Sequence, residues 1–353
     1  MPVTMRLHQD GAEYTMDQIV PTADDVAEAG STLQGWVRHT PVLESEHLNA
    51  RVGARVLVKA ECLQHGGSFK VRGALNRILK LSSKQREAGV VAPSSGNHGY
   101  AVALAAHWLQ MPALIVMPRD APAIKRRNVE RLGAEVVVYE RHRDDRERIA
   151  AELARERGAA LVPPFDHADV IAGQGTVGME LALAASERKL SLDAVFVPCS
   201  GGGLVAGCAL AIKAEFPDCA IFAVEPEGYD DLARSLASGR RQVNAAAAAS
   251  LCDALLAATP GAIAFAINKR LLAGAVTVTD QEVLDAMALV AEEYKLIVEP
   301  SGAAGLAAAL REPTHDCIGV VLSGANVDAA LLARAVSATV HSNESVPERQ
   351  NPP

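Results

Sequence analysis

Ala194-Val195-Phe196-Val197-Pro198-Cys199-Ser200-Gly201-Gly202-Gly203-Leu204 joins an unbroken apolar run to three consecutive glycines, and an apolar stretch of helical spacing follows as far as Glu215. An apolar run without polar alternation reads as a strand buried on both faces. A strand that passes through a tight turn into a helix is the repeating unit of a parallel α/β sheet. Outward from this unit the same succession recurs. Runs at 55–58, 90–92, 114–117, 135–139, 221–225, 275–279 and 317–322 read as further buried strands. Stretches at 69–81, 100–109, 123–132, 146–157, 170–185, 281–294 and 301–310 read as helices. The predicted fold class is α/β, with open twisted parallel sheets covered by helices on both faces. An eight-stranded barrel is the competing architecture, but the repeat spacing is uneven and glycine-rich turns follow only two strands.

The chain has 353 residues, more than the ~250–300 at which a single hydrophobic core stops growing. Two core units are therefore expected: a smaller one at 89–167, and a larger, discontinuous one at 1–88 and 168–341. The polar, proline-rich residues 342–353 are expected to be disordered, and the alanine run at 245–249 reads as helix or loop filler. A net charge of −8 argues against a nucleic-acid surface or an anionic membrane as partner and fits an enzyme of small molecules. The six cysteines form no Cys-x-x-Cys pair and read as reduced core residues. The N-terminus lacks the apolar segment of a secretory signal. No uncharged apolar stretch reaches the ~18 residues of a membrane span, so a cytoplasmic location is expected.

Four turns at strand–helix junctions stand where parallel sheets bind ligands. Ser200-Gly201-Gly202-Gly203-Leu204 turns backbone N–H groups toward one point at a helix start, which suits a phosphate, or is a plain flexible turn. In Ser68-Phe69-Lys70-Val71-Arg72-Gly73-Ala74, Lys70 is either a desolvated Schiff-base former or an exposed helix lysine. Ser94-Ser95-Gly96-Asn97-His98-Gly99 offers several donors to a carboxylate or phenolate oxygen, although His98 alone reads as a structural histidine. In Leu322-Ser323-Gly324-Ala325-Asn326, either Asn326 caps the next helix or Ser323 presents its hydroxyl to a ligand.

Taken together and in this order, the four motifs closely resemble the fold-type-II pyridoxal-phosphate enzymes, specifically the threonine/serine dehydratase and serine racemase group. Val170-Ile171-Ala172-Gly173-Gln174-Gly175-Thr176, Ala223-Val224-Glu225-Pro226 and Glu299-Pro300-Ser301-Gly302-Ala303 extend the resemblance over roughly residues 20–340. It implies a two-domain fold of the tryptophan-synthase-β type and pyridoxal 5'-phosphate held covalently by Lys70, with Phe69 beside the ring. Asn97 would bond the phenolic oxygen, Ser200 to Leu204 the phosphate, and Ser323 the pyridine nitrogen. Ser94, Ser95, Gly96, Asn97 and His98 would bind the substrate carboxylate. The implied activity is that of an ammonia-lyase converting a β-hydroxy amino acid, threonine or serine by default, to a 2-oxo acid and ammonia. The alternatives are a serine racemase, a dehydratase of threo-3-hydroxyaspartate or phenylserine, and a catalytically silent ligand-binding homologue. The family also implies a homodimer.

In the racemase branch the residue at Ser95 acts on the face of the α-carbon opposite the lysine; it reads equally as a turn former. Glu225, Tyr229 and Asp231 match a pattern in which two carboxylates and a backbone carbonyl hold Mg²⁺, Mn²⁺ or Ca²⁺. Otherwise the acids are solvated at a helix start. Gly66 stands where relatives carry a larger residue, which suggests an enlarged pocket. Arg146 aligns loosely with a substrate-side arginine, but its charged surroundings, Arg141 to Arg146, read as an exposed helix face.

Overall fold

The structure, a computed structural model, describes residues 6–9, 12–15, 20–140, 143–245, 249–311 and 315–343. An antiparallel pair, β1 (Arg6–Gln9) and β2 (Ala12–Thr15), precedes α1 (Ala23–Leu33), β3 (Val42–Leu43), α2 (Glu46–Val52) and β4 (Arg55–Ala60). Next come α3 (Lys70–Leu79), α4 (Ser83–Ala88), β5 (Val90–Pro93), α5 (Asn97–Trp108), β6 (Ala113–Pro118), α6 (Ala123–Arg131) and β7 (Glu135–Tyr139). The chain continues through α7 (Arg146–Arg157), β8 (Ala160–Leu161), α8 (Ala168–Glu187), β9 (Ala194–Pro198), α9 (Gly203–Glu215) and β10 (Ala220–Pro226). It closes with α10 (Asp231–Ser238), α11 (Ala262–Leu271), β11 (Gly274–Val278), α12 (Asp280–Tyr294), α13 (Pro300–Ala309), β12 (Cys317–Leu322) and α14 (Ala329–Asn343).

Besides the β1–β2 pair, the described residues form two open sheets, which removes the barrel. One has six strands in the order β11-β10-β9-β12-β4-β3, parallel except for β3. The other has four parallel strands in the order β7-β6-β5-β8. Every residue of β5, β6, β9 and β12 is buried, as expected of strands covered on both faces. α14 carries helix two residues into the segment expected to be disordered; its remainder, from 344, lies outside the described residues, as do 246–248 of the alanine run. All six cysteines are buried and unpaired.

α8 packs closely against both α3 and α9. A Cβ on Gly173 would stand 2.6 Å from the carbonyl oxygen of Arg72, and one on Gly175 2.8 Å from that of Gly207. One on Gly178 would stand 2.6 Å from the Cα of Cys208. Glycine at these positions lets α8 touch α3 and α9 backbone to backbone, which fixes the two helices whose first turns carry Lys70 and the triple glycine.

Beneath α3 lies a buried charge cluster. Arg72, fully buried, donates from Nε and Nη2 to Glu61 at 2.8 Å each, and from Nη1 and Nη2 to Glu180 at 2.6 and 2.9 Å. Lys59 Nζ donates to Glu180 at 2.5 Å, and Thr40 Oγ1 donates to Glu61. Two cations thus face two carboxylates, the balance that makes buried charge tolerable. Arg72 lies two residues beyond Lys70, so this cluster anchors the lysine's helix to β4 and α8.

Candidate active site

The carboxyl ends of β9, β12 and β4, adjacent in the six-stranded sheet, lead into the glycine turn, Ser323 and the Lys70 segment; the carboxyl end of β5 leads into Ser94–Gly99. All four converge on one cavity of about 220 Å³. Phe69, Lys70, Ser94, Ser95, Gly96, Asn97 and His98 line it, together with Ser200, Gly201, Gly202, Gly203, Leu204 and Ser323.

Lys70 opens α3, and its Nζ donates to the carbonyl oxygen of Pro164 at 2.9 Å, 5.0 Å from the centre of the Phe69 ring. It is not the exposed lysine of the alternative reading. Burial lowers its pKa to about 8, because the charged form loses hydration that one carbonyl does not replace. An amine so placed is partly neutral near physiological pH and able to attack a carbonyl carbon. Its segment is joined to the Ser323 turn: the Phe69 N–H donates to the Ser323 carbonyl at 3.2 Å, and the Ala325 N–H to the Gly67 carbonyl at 2.8 Å.

The glycine turn forms a cradle. Gly202, at φ 89°, caps α9 and brings no side chain to its free N–H groups, which leaves the positive helix end open to an anion. Carbon at 201 would stand 2.3 Å from the Phe165 ring, and at 203 2.6 Å from the Phe165 carbonyl. The turn is held from behind, where Gly261 N–H donates to Gly201 O at 3.0 Å and Asn268 Nδ2 to Gly202 O at 3.2 Å. Ser200 Oγ accepts from the Ala257 N–H at 3.2 Å. A depressed lysine and a phosphate cradle in one cavity fit the two ends of pyridoxal phosphate. The family model described as "Pyridoxal-phosphate dependent enzyme" matches residues 33–324.

The chain belongs to the pyridoxal-phosphate-dependent enzyme family. It is 44% identical over 322 residues to an L-threo-3-hydroxyaspartate ammonia-lyase of Saccharomyces cerevisiae, covering 90% of this chain and 97% of that one. It is 39% identical to a serine racemase of Schizosaccharomyces pombe, covering 90% and 98%. The solved structure of maize serine racemase superposes with a TM-score of 0.84 at 38% identity, covering 92% of this chain and 99% of that one. The fold is accordingly that of the fold-type-II pyridoxal-phosphate enzymes.

Several of this enzyme's residues differ from what the sequence suggested. His98 Nε2 donates to the Val162 carbonyl at 2.8 Å while Nδ1 has no partner. Burial holds the ring neutral, with its pKa down at about 3. The imidazole therefore has no proton for a substrate carboxylate; backbone N–H groups at the start of α5, the Ser94 and Ser95 hydroxyls and Asn97 Nδ2 are the donors of this turn. Gly66 does not enlarge the Lys70 cavity. It borders a neighbouring cavity of about 320 Å³, at φ 73°, and a Cβ there would meet the Tyr100 ring at 2.9 Å. Asn326 is not a helix cap, since α14 starts at Ala329. Its Nδ2 donates to Asn97 Oδ1 and to Gly66 O, at 2.7 and 2.8 Å. Arg146 is 44% exposed, as expected, yet it lines the Lys70 cavity with Lys125.

Glu299 was not singled out, although it lies in a quoted motif. It lines the cavity, is 4% exposed, and accepts from Asn97 Nδ2 at 2.7 Å. Burial first, and then Asp253, push its pKa up to about 7. The readable signal was a carboxylate directly before the apolar run 300–309.

Glu225, Tyr229 and Asp231 lie outside this cavity, at the end of β10 and the start of α10. Both acids are buried, at 0% and 2% exposure, so the solvated reading fails. Glu225 accepts from the backbone N–H groups of Leu232 and Ala233 at 2.9 Å each. Asp231 Oδ1 accepts from Asn244 at 2.6 Å, while its Oδ2 has no partner. Burial lifts Glu225 to about 8 and Asp231 to about 6. Among the described residues no three His, Cys, Asp or Glu side chains cluster as a metal set. Two buried carboxylates with one orphaned oxygen nevertheless fit a hard divalent cation.

Proposed function

We propose that the enzyme is an ammonia-lyase that removes the β-hydroxyl and α-amino groups of a β-hydroxy amino acid, and that its preferred substrate carries a second carboxylate, as in L-threo-3-hydroxyaspartate. The observation that carries this reading is the presence of Arg146 and Lys125 in the cavity that holds Lys70. Lys125 faces Asp253 at 3.5 Å and Arg146 Nε donates to Glu147 at 2.7 Å; of the two paired cations, the Arg146 guanidinium has more donors to offer a distal carboxylate. Its planar fork suits bidentate carboxylate binding. The 44% identity to the yeast enzyme supports the same choice.

Pyridoxal phosphate, when bound, supplies the electron sink that makes the α-hydrogen removable. In this reading Lys70 holds the cofactor and, once released by the substrate amine, takes the α-proton. Backbone N–H groups of the Ser94–His98 turn hold the α-carboxylate. Asn97 binds the phenolic oxygen, Ser323 the pyridine nitrogen, and Ser200 to Leu204 the phosphate. Phe69 packs beside the ring. Glu225, Asp231 and the Tyr229 carbonyl hold Mg²⁺, Mn²⁺ or Ca²⁺. A homodimer acting in the cytoplasm completes the proposal. Six unpaired thiols support that location, and no helix among the described residues is long and apolar enough to cross a membrane.

A second reading rests on Ser95. It lines the same cavity, so a hydroxyl is available to exchange a proton opposite Lys70 and racemise serine. One experiment separates the two. The holoenzyme is incubated with L-threo-3-hydroxyaspartate, L-threonine and L- and D-serine, while 2-oxo acid and enantiomer ratio are followed together. Oxo acid formed fastest from hydroxyaspartate, without enantiomer exchange, supports the lyase reading. Exchange of serine enantiomers outpacing oxo-acid formation overturns it in favour of the racemase.

A further inference from the structure

Asn97 is asked to present an N–H to the cofactor, but a carboxamide can rotate and offer its oxygen instead. In this protein the choice is not left to the ligand. The Gly66 carbonyl can only accept, so the atom of Asn326 facing it at 2.8 Å is Nδ2. The same Nδ2 lies 2.7 Å from Asn97, which must therefore turn its Oδ1 toward Asn326. Asn97 Nδ2 is thereby directed to the opposite side, where it meets Glu299 Oε1 at 2.7 Å. Whether ionised or protonated on Oε2, Glu299 accepts at Oε1, so both ends of the relay demand the same orientation. One hydrogen of Asn97 Nδ2 goes to Glu299, and the second is left for a ligand in the cavity that Asn97 lines.

We infer that Glu299 is a positioning residue for the cofactor, fixing the Asn97 carboxamide so that its free N–H, and not its oxygen, is what the cavity receives. Glu299 is itself held with little room to move. Its backbone N–H donates to the Gly324 carbonyl at 2.9 Å, and its own carbonyl accepts from Gly302 and Ala303 at 2.9 and 3.0 Å. A Cβ on Gly324 would stand 2.2 Å from Oε1, so the turn after Ser323 closes directly over the carboxylate. That turn and the Glu299 motif, 24 residues apart in the sequence, thus form one device. The charged groups that act on Glu299 are Asp253, Lys125 and Lys70. None of them replaces the acceptor that Asn97 requires.

The inference rests on the cofactor roles proposed for Lys70 and Asn97, and it is independent of which amino acid is consumed. The test compares Glu299→Ala, Glu299→Gln and Asn97→Ala with the parent, reading the dissociation constant for pyridoxal phosphate and the absorbance maximum of the bound cofactor. Glu299→Ala is expected to weaken cofactor binding about tenfold and to shift the band as Asn97→Ala does, the usual scale for one lost charge-assisted hydrogen bond. Glu299→Gln keeps an oxygen acceptor and should stay within about threefold of the parent. That rescue is not expected if Glu299 serves only folding through its charge. Parent-like affinity and absorbance in Glu299→Ala, beside a changed Asn97→Ala, overturn the positioning role. If Asn97→Ala is itself parent-like, the role of Asn97 fails first and this inference with it. Should Glu299→Ala not fold, Asn326→Ala frees the same carboxamide from the other end. It must then show the same weakening and band shift, and a parent-like result rejects the relay.

Discussion

Lys70 Nζ reaches the carbonyl oxygen of Pro164, 94 residues away in the sequence, at 2.9 Å. Pro164 follows β8 of the four-stranded sheet, whereas Lys70 opens the helix after β4 of the six-stranded one. The amine therefore sits at the seam between the two sheets, half-buried, with a single carbonyl as its acceptor among the described residues.

Replacing Lys70 with Ala should abolish covalent capture of pyridoxal phosphate and lower turnover by on the order of 10³ or more, the scale of a lost nucleophile and proton carrier. Loss of the visible band of the bound cofactor, with far-ultraviolet circular dichroism unchanged, is the check. The unmodified protein offers a sharper one. Only the neutral amine attacks, so covalent incorporation into cofactor-free enzyme should accelerate as pH rises and level off near the lowered pKa of about 8. Acceleration continuing to pH 10 would mean that Lys70 is not desolvated as the structure has it.

Arg72→Met should destabilise the fold strongly. It leaves Glu61 and Glu180 with Lys59 as their remaining buried cation, and breaking a buried pair costs about 3–5 kcal/mol. The expected drop in the thermal midpoint is about 5 °C or more. Arg72→Lys should recover little of it, because an ammonium cannot form the paired contacts to both carboxylates. Calorimetry of the three proteins at equal cofactor saturation decides.

How much of this was readable varies with where the determining contact lies. The buried strands were legible because burial on both faces writes itself into consecutive residues; 194–198 and 317–322 agree with β9 and β12 to the residue, whereas 135–139 agrees with β7 in extent but not in burial, since at the sheet edge only Tyr139 is buried. β8 was missed, since two residues at a sheet edge carry no pattern. α11 was missed for a different reason. Its first N–H groups are capped by Asp166, at 2.7 Å to Ala262 and 2.9 Å to Ile263, almost a hundred residues upstream. No local cap exists to be read. α1 had a readable cap in Thr22 and Asp25, and that signal was overlooked. At the site, turn chemistry identified the cradle and the lysine. Arg146, Lys125 and Glu299 depend on how the two sheets meet, which no local window contains. Gly66 looked like added volume beside Lys70, whereas it borders the neighbouring cavity, and a Cβ there would meet the Tyr100 ring.

Arg146→Ala separates substrates without disabling the site. If Arg146 holds a distal carboxylate, kcat/KM for L-threo-3-hydroxyaspartate should fall about 10- to 100-fold, as for a lost charge-assisted contact. The value for L-serine, which has no such group, should change less than about threefold. The fall should appear mainly in KM, since this contact is made equally in ground and transition states. Equal losses for both substrates would assign Arg146 to the fold of α7 instead.

The pair Glu225 and Asp231 predicts how stability depends on pH and on cation. Both folded pKa values are raised, to about 8 and about 6. The folded protein therefore binds more protons than the unfolded chain between the ordinary carboxylate range and pH 8. The sign follows: stability from these groups is fully present below about pH 4 and is lost as pH climbs through 6 and then 8. A divalent cation replaces the missing protons, so its stabilising effect should grow over the same interval. With cation removed by chelator, the thermal midpoint should fall from pH 5.5 to pH 8, and Mg²⁺ or Ca²⁺ should restore it more at pH 8 than at pH 5.5. Asp231→Asn removes one charge and the orphaned anionic oxygen together; it should flatten the pH dependence and abolish the cation response. A cation response that is equal at both pH values, or that survives Asp231→Asn, would place the ion elsewhere in the protein.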